Sequence, residues 1–168
     1  MVQYSRNEDV DGNTPLFIAC DKGYENIVKC LVEHGADINK QNDDDETPLF
    51  RACVNGHENI IKYLVEHGAD INKQNNDDET PLLIAFDNGN EHLIRYLIEH
   101  GADVNKQEEH GNTPLIYACS NGHENIVRCL VEHGADINKQ NNYGNTPLSI
   151  AFNNRNEHLI RYLIEHKK

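Results

Sequence analysis

The tripeptide Thr-Pro-Leu recurs at Thr14, Thr47, Thr80, Thr113 and Thr146, each copy 33 residues after the last. Glu-His-Gly-Ala-Asp recurs at the same interval from Glu33, Glu66, Glu99 and Glu132. A fixed period of this length describes one supersecondary unit, copied and stacked along an axis. A longer period of 66 lies over it. Asn90–His100 returns letter for letter as Asn156–His166, and Leu64–Asn76 returns as Leu130–Asn142. Units have been copied in pairs.

Each unit has the same physical content. Thr14 is a helix N-cap with Pro15 at the first helical position. Leu16, Ala19 and Cys20 share one face of a short helix, which Gly23 ends. A second helix starts near Glu25, an acid suited to the positive end of the helix dipole. Ile27, Val28, Leu31 and Val32 are expected to form its buried stripe. His34 closes that helix and Gly35 supplies a left-handed exit. The polar run from Asp37 to Glu46 is a turn leading to the next Thr-Pro. Two helices this short cannot hide their own apolar faces, so neighbouring units must do it.

A 33-residue helix-turn-helix unit opened by Thr-Pro-Leu resembles the ankyrin repeat, and the resemblance covers residues 11–168. It implies an all-α, right-handed solenoid of stacked helix-turn-helix units joined by β-hairpin-like turns. The units run 11–43, 44–76, 77–109, 110–142 and 143–168, after an N-terminal extension at 1–10. With so little ahead of the first unit and the fifth ending after its second helix, the expectation is a segment of a longer array. Three departures stand out. The histidine that the family has after Thr-Pro-Leu is Phe17, Phe50, Leu83, Ile116 or Ser149, so apolar contact is expected to replace its hydrogen bond. Asp45 and Asp78 replace the turn glycine kept at Gly12, Gly111 and Gly144; Asp tolerates positive φ better than most residues. Arg155 replaces the inter-helix glycine, which marks the last unit as a looser cap.

Charge narrows the partner. With 15 basic and 28 acidic side chains the net charge is -13, which repels phosphate backbones and anionic leaflets. Neither nucleic acid nor membrane is the expected partner; a basic protein surface is. No apolar run resembles a signal peptide or a membrane span. The odd cysteine count, without a C-x-x-C pair, argues against a disulfide framework and for a reducing, cytoplasmic location. A monomer is expected.

Catalytic and metal readings fail on spacing, and no cofactor is expected. His34, His67, His100, His133 and His166 form a column. Equivalent atoms of stacked units lie about 10 Å apart, whereas zinc needs nitrogens at about 2 Å. His57-Glu58 and His123-Glu124 begin H-E-x-x-H, but Ile61 and Val127 occupy the fifth position. Asp43-Asp44-Asp45-Glu46 lacks the alternation of a calcium loop. The cysteines fall at packing positions that Phe86, Phe152, Tyr63, Tyr96 or Tyr162 fill elsewhere, so they are expected in the core.

The resemblance implies that turn tips and first helices line a concave, partner-binding face. Carried over unit by unit, that face comprises Asn13, Asp21 and Lys22, then Asp43, Asp44, Glu46, Arg51, Val54 and Asn55. The third unit adds Asp77, Glu79, Asp87 and Asn88, and the fourth His110, Asn112, Tyr117, Ser120 and Asn121. The fifth adds Tyr143, Asn145, Asn153 and Asn154. These letters vary while the scaffold repeats. The function expected is a protein-interaction module or scaffold, with a spacer segment lacking a private ligand as the alternative. The resemblance also implies that Asn39, Asn72, Asn105 and Asn138 are turn asparagines of the kind an asparaginyl hydroxylase modifies. Incubation with such an enzyme should add the mass of one oxygen per modified site.

Overall fold

A computed structural model of the chain describes residues 8–167, so most of the N-terminal extension and Lys168 lie outside the described residues. Ten α-helices follow one another in pairs: α1 Pro15–Lys22, α2 Glu25–Glu33, α3 Pro48–Val54, α4 Glu58–Glu66, α5 Pro81–Asp87, α6 Glu91–Glu99, α7 Pro114–Asn121, α8 Glu124–Glu132, α9 Pro147–Asn153 and α10 Glu157–Glu165. Among the described residues there is no strand. The odd-numbered helices pack on one another in one row, α1 on α3, α3 on α5, α5 on α7 and α7 on α9. The even-numbered helices form a second row outside it, and each pair closes on itself. The fold is the helical solenoid that the repeat pattern requires.

Every first helix starts the same way. The hydroxyls of Thr14, Thr47, Thr80, Thr113 and Thr146 accept the amides of Phe17, Phe50, Leu83, Ile116 and Ser149. Each such cap contributes about 0.5–2 kcal/mol. Phe17, Phe50, Leu83 and Ile116 are buried, so apolar packing does replace the family's histidine contact there. Ser149 differs. Its hydroxyl accepts the Thr146 amide at 2.9 Å and completes a capping box.

Core packing runs unbroken from Leu16 to Leu163. Ala19, Ala52, Ala85, Ala118 and Ala151 are all buried; a small side chain in every first helix lets neighbouring helices approach closely. Three expectations need correction. Ile27 is 49% exposed, although its counterparts Ile60, Leu93, Ile126 and Leu159 are buried. Cys30 is exposed while Cys20, Cys53, Cys119 and Cys129 are buried. Phe152 is 69% exposed where Phe86 is buried. The physical reason is shared: these side chains face along the axis, and no described unit packs against them at the two ends.

The three non-glycine substitutions keep the glycine geometry. Asp45, Asp78 and Arg155 sit at φ 58°, 60° and 54°. The Arg155 and Asn156 amides still bond the Phe152 and Ala151 carbonyls at 3.0 Å, as Gly56 and His57 bond Cys53 and Ala52. The last turn is therefore regular rather than loose, and the cost sits in the left-handed backbone of Arg155, about 1–2 kcal/mol. Arg155→Gly should stabilise the chain by about 1 kcal/mol in a denaturant titration; a destabilised variant would show that the arginine makes a compensating contact.

Candidate protein-binding face

The turn tips are built by one side chain each. The carboxamide oxygen of Asn42 accepts the amides of Asp44 and Glu46 at 3.1 and 2.9 Å. Asn75 does the same for Asp77 and Glu79, and Asn141 for Tyr143 and Asn145. In the fourth unit a carboxylate takes the place: Glu108 accepts from His110 at 2.9 Å and Asn112 at 2.7 Å, and is buried. Successive tips are then joined by single backbone bonds. Asp43, Asn76, Glu109 and Asn142 donate to the carbonyls of Asp11, Asp44, Asp77 and His110 at 2.9–3.1 Å. This is the hairpin-like ladder, held without regular strands. The sequence reading missed Asn42, Asn75, Glu108 and Asn141, although Asn at three of these four positions, all in the 33-residue register, was the available signal.

Along this face the charge is compensated at one end only. In the first two units Asp21 accepts from Arg51 Nε at 3.0 Å and Asn55 at 3.2 Å, and pairs with Lys22 at 2.8 Å. Lys22 first, then Arg51 and Asn55, hold the Asp21 carboxyl below the usual aspartate range. Arg51 also reaches Glu46 at 3.6 Å. Burial still pushes Glu46 above the ordinary glutamate value, with Arg51 opposing it.

In the third unit the position of Arg51 is Ile84, and the cation is lost. Burial pushes Glu79 up, and the charges of Asp77, Asp87 and Glu108 push it further. Tyr117 stands in the same field: burial, then Glu108, Asp87 and Glu79, raise its phenol to about 12. Its ring stacks on Phe86 at 6.0 Å between centroids. Among the described residues no Lys or Arg ion pair reaches Glu79, Asp87 or Glu108. Further on, His110 lies 3.5 Å from Glu108 and 3.4 Å from Glu109, edge-on to the Tyr143 ring at 6.1 Å.

A sequence model of the ankyrin repeats, taken three copies at a time, matches residues 1–75, 68–141 and 107–168. The chain belongs to the ankyrin-repeat family. A comparison with curated proteins finds no match. Ankyrin repeats are protein–protein interaction modules as a class. Among the described residues no helix is long and apolar enough to cross a membrane.

Within the ankyrin frame the expected face residues divide by what they touch. Asp43, Asp44, Asp77, Asp87, Ser120, Asn121, Tyr143 and Asn153 are exposed. Others are tied into the scaffold. The carboxamide oxygens of Asn13 and Asn112 accept from Asn42 and Asn141 at 3.0 and 2.8 Å. Asn88 donates to the Cys53 carbonyl at 2.6 Å, and Asn154 to that of Ser120 at 3.1 Å. Val54 is half-buried and packs on the core, and Asn145 forms the arm of its tip.

Away from this face, the histidine column closes helices. The Nδ1–H groups of His34, His67, His100, His133 and His166 donate to carbonyls four residues back at 2.7–2.8 Å. The turn asparagines staple ankyrin units together. Asn72 donates to Gly101 at 3.1 Å and accepts from Asp103 at 2.7 Å; Asn39 and Asn105 repeat this with Gly68, Asp70, Gly134 and Asp136.

Glu79 generates a pH prediction. Its folded pKa lies above the unfolded value of 4.5, so the charged form costs stability. That cost is full above the folded pKa and disappears as pH falls to 4.5. Glu79→Gln should therefore raise Tm at neutral pH, and the gain should close on acidification. A gain that persists unchanged at pH 4 would contradict this origin.

Proposed function

We propose that this chain is an interaction module that takes a basic protein surface, and that Glu79, Asp87 and Glu108, with Tyr117 between them, form the centre of the contact. The supporting observation is the missing cation. Glu46 and Asp21 have Arg51 and Lys22; the three carboxylates around Tyr117 have no Lys or Arg partner among the described residues. Glu79 and Glu108 are shielded from water and Asp87 adds its charge to theirs; such carboxylates repel one another, and a lysine or arginine from a partner relieves that repulsion. Tyr117 supplies an aromatic platform of the kind enriched in interface anchors. The net charge of -13 draws a basic partner in from a distance. Five free cysteines are consistent with work in a reducing compartment, the cytoplasm. A hydroxylase acting on Asn39, Asn72 or Asn105 must first open the bonds that tie these side chains to the following unit.

The test is a variant carrying Asp77→Asn, Glu79→Gln and Asp87→Asn. Glu108 is left intact because it builds its tip. A partner captured on the wild-type chain from lysate of the source organism should bind this variant at least about tenfold more weakly, or ~1.4 kcal/mol. Wild-type association should slow as salt rises. Unchanged affinity in the variant would assign the acids to solubility alone, and a wild-type chain that captures no partner would be a spacer.

A further inference from the structure

The exposed large apolar side chains among the described residues all lie at the two ends of the stack. Val10, Ile18, Tyr24 and Ile27 belong to the first unit or its tip, and Tyr143, Phe152 and Ile164 to the last. Along the side of the solenoid there are none. The two ends also carry sequences that already meet each other inside this molecule. Helix α10 repeats α6 letter for letter, and α2 differs from α8 only in having Lys29 where α8 has Arg128. In the structure α6 packs on α8, and α5 on α7.

We propose that copies of this chain stack head to tail, the fifth unit of one copy seating on the first unit of the next as the third unit seats on the fourth. Contacts that residues 77–102 make with the fourth unit have counterparts 66 residues on in one copy and 99 residues back in the other. Phe86 stacks on Tyr117 and is buried; Phe152 would meet Ile18. Ile98 and Ile126 are buried at that interface; Ile164 and Ile27, both exposed, take their places. His123 meets Glu91 at 2.9 Å, and Tyr24 would bring its hydroxyl to Glu157. Arg95 acts on the Cys129 thiol, and Arg161 would cover Cys30, the single exposed cysteine. The Glu109 amide donates to Asp77 in the tip ladder at 3.1 Å, and the Val10 amide would donate to Tyr143. Val10 and Tyr143, at 95% and 70% the most exposed apolar side chains, then lie side by side.

Such a contact is heterologous. It joins two different faces and grows into open chains rather than closing as a dimer. Copies carrying -13 each repel one another, so added salt strengthens the stacking. That is opposite in sign to the basic-partner contact, and the expected monomer becomes the dilute, low-salt state.

Sedimentation of the 168-residue chain tests this, alongside Ile27→Asp and Phe152→Asp. Both positions are exposed, so each variant should keep the wild-type helical signal and melting behaviour. The wild type should grow in mass with concentration and with salt, without a limiting dimer. Each variant alone should stay monomeric. An equal mixture should form one-to-one dimers and nothing larger, because each variant retains the face that the other has lost. As a second readout, Cys30 alkylation should slow about fourfold at a total concentration about ten times the dissociation constant, because the joining faces are present in equal numbers and about a quarter of them stay free by mass action. A wild type that stays monomeric at all concentrations and salts overturns the proposal. Association that survives in both variants, or variants that do not dimerise on mixing, overturns it equally.

Discussion

Each unit presents an apolar face along the stacking axis that its own two helices cannot cover, and the neighbouring unit covers it. Burial of Ile60, Leu93, Ile126 and Leu159 exists only because a unit precedes each of them. The buried alanine of each first helix sets how close two units come, and the threonine cap sets where each helix begins. Stability of this kind accumulates between nearest neighbours rather than in one central core. The ends are then the places where the same physics is left incomplete, which is why exposed apolar side chains collect there.

The face that carries function is separated from this apolar stacking. Tips are joined to tips by backbone bonds and organised by one acceptor, Asn42 or its equivalents, so the residues between are free to change. That freedom lets five exposed aspartates occupy two neighbouring tips without loss of the fold. It also lets Arg51 become Ile84 one unit later and puts Asn88 at the position of Lys22, and the difference in charge compensation between the two halves of the face follows from these two changes.

Much of the fold was legible because its signals are local. A threonine three residues before an amide, a proline at the first helical position and an Asp in place of a turn glycine each act within a few residues. The caps at Thr14 and Thr146 and the positive φ of Asp45 and Asp78 follow from that. Ile27, Cys30 and Phe152 were misplaced because periodicity marks which face is apolar and says nothing of whether a neighbour exists to cover it. The site was less legible. Acidic tips could be read directly, but the tie from Asp21 to Arg51 spans 30 residues, and the staple from Asn72 to Gly101 spans 29. Glu108 was passed over because a buried carboxylate doing the work of an asparagine looks, in sequence, like another surface acid.

The claim that neighbours, and nothing else, bury each unit is tested most directly by native-state hydrogen exchange on a dilute, low-salt sample. Protection should be graded by position. Amides of α5 and α6, with units on both sides, should exchange slowest, and those of α1, α2, α9 and α10 fastest, through opening of the end units. One common opening free energy for all ten helices, or an end unit better protected than the third, would contradict the account.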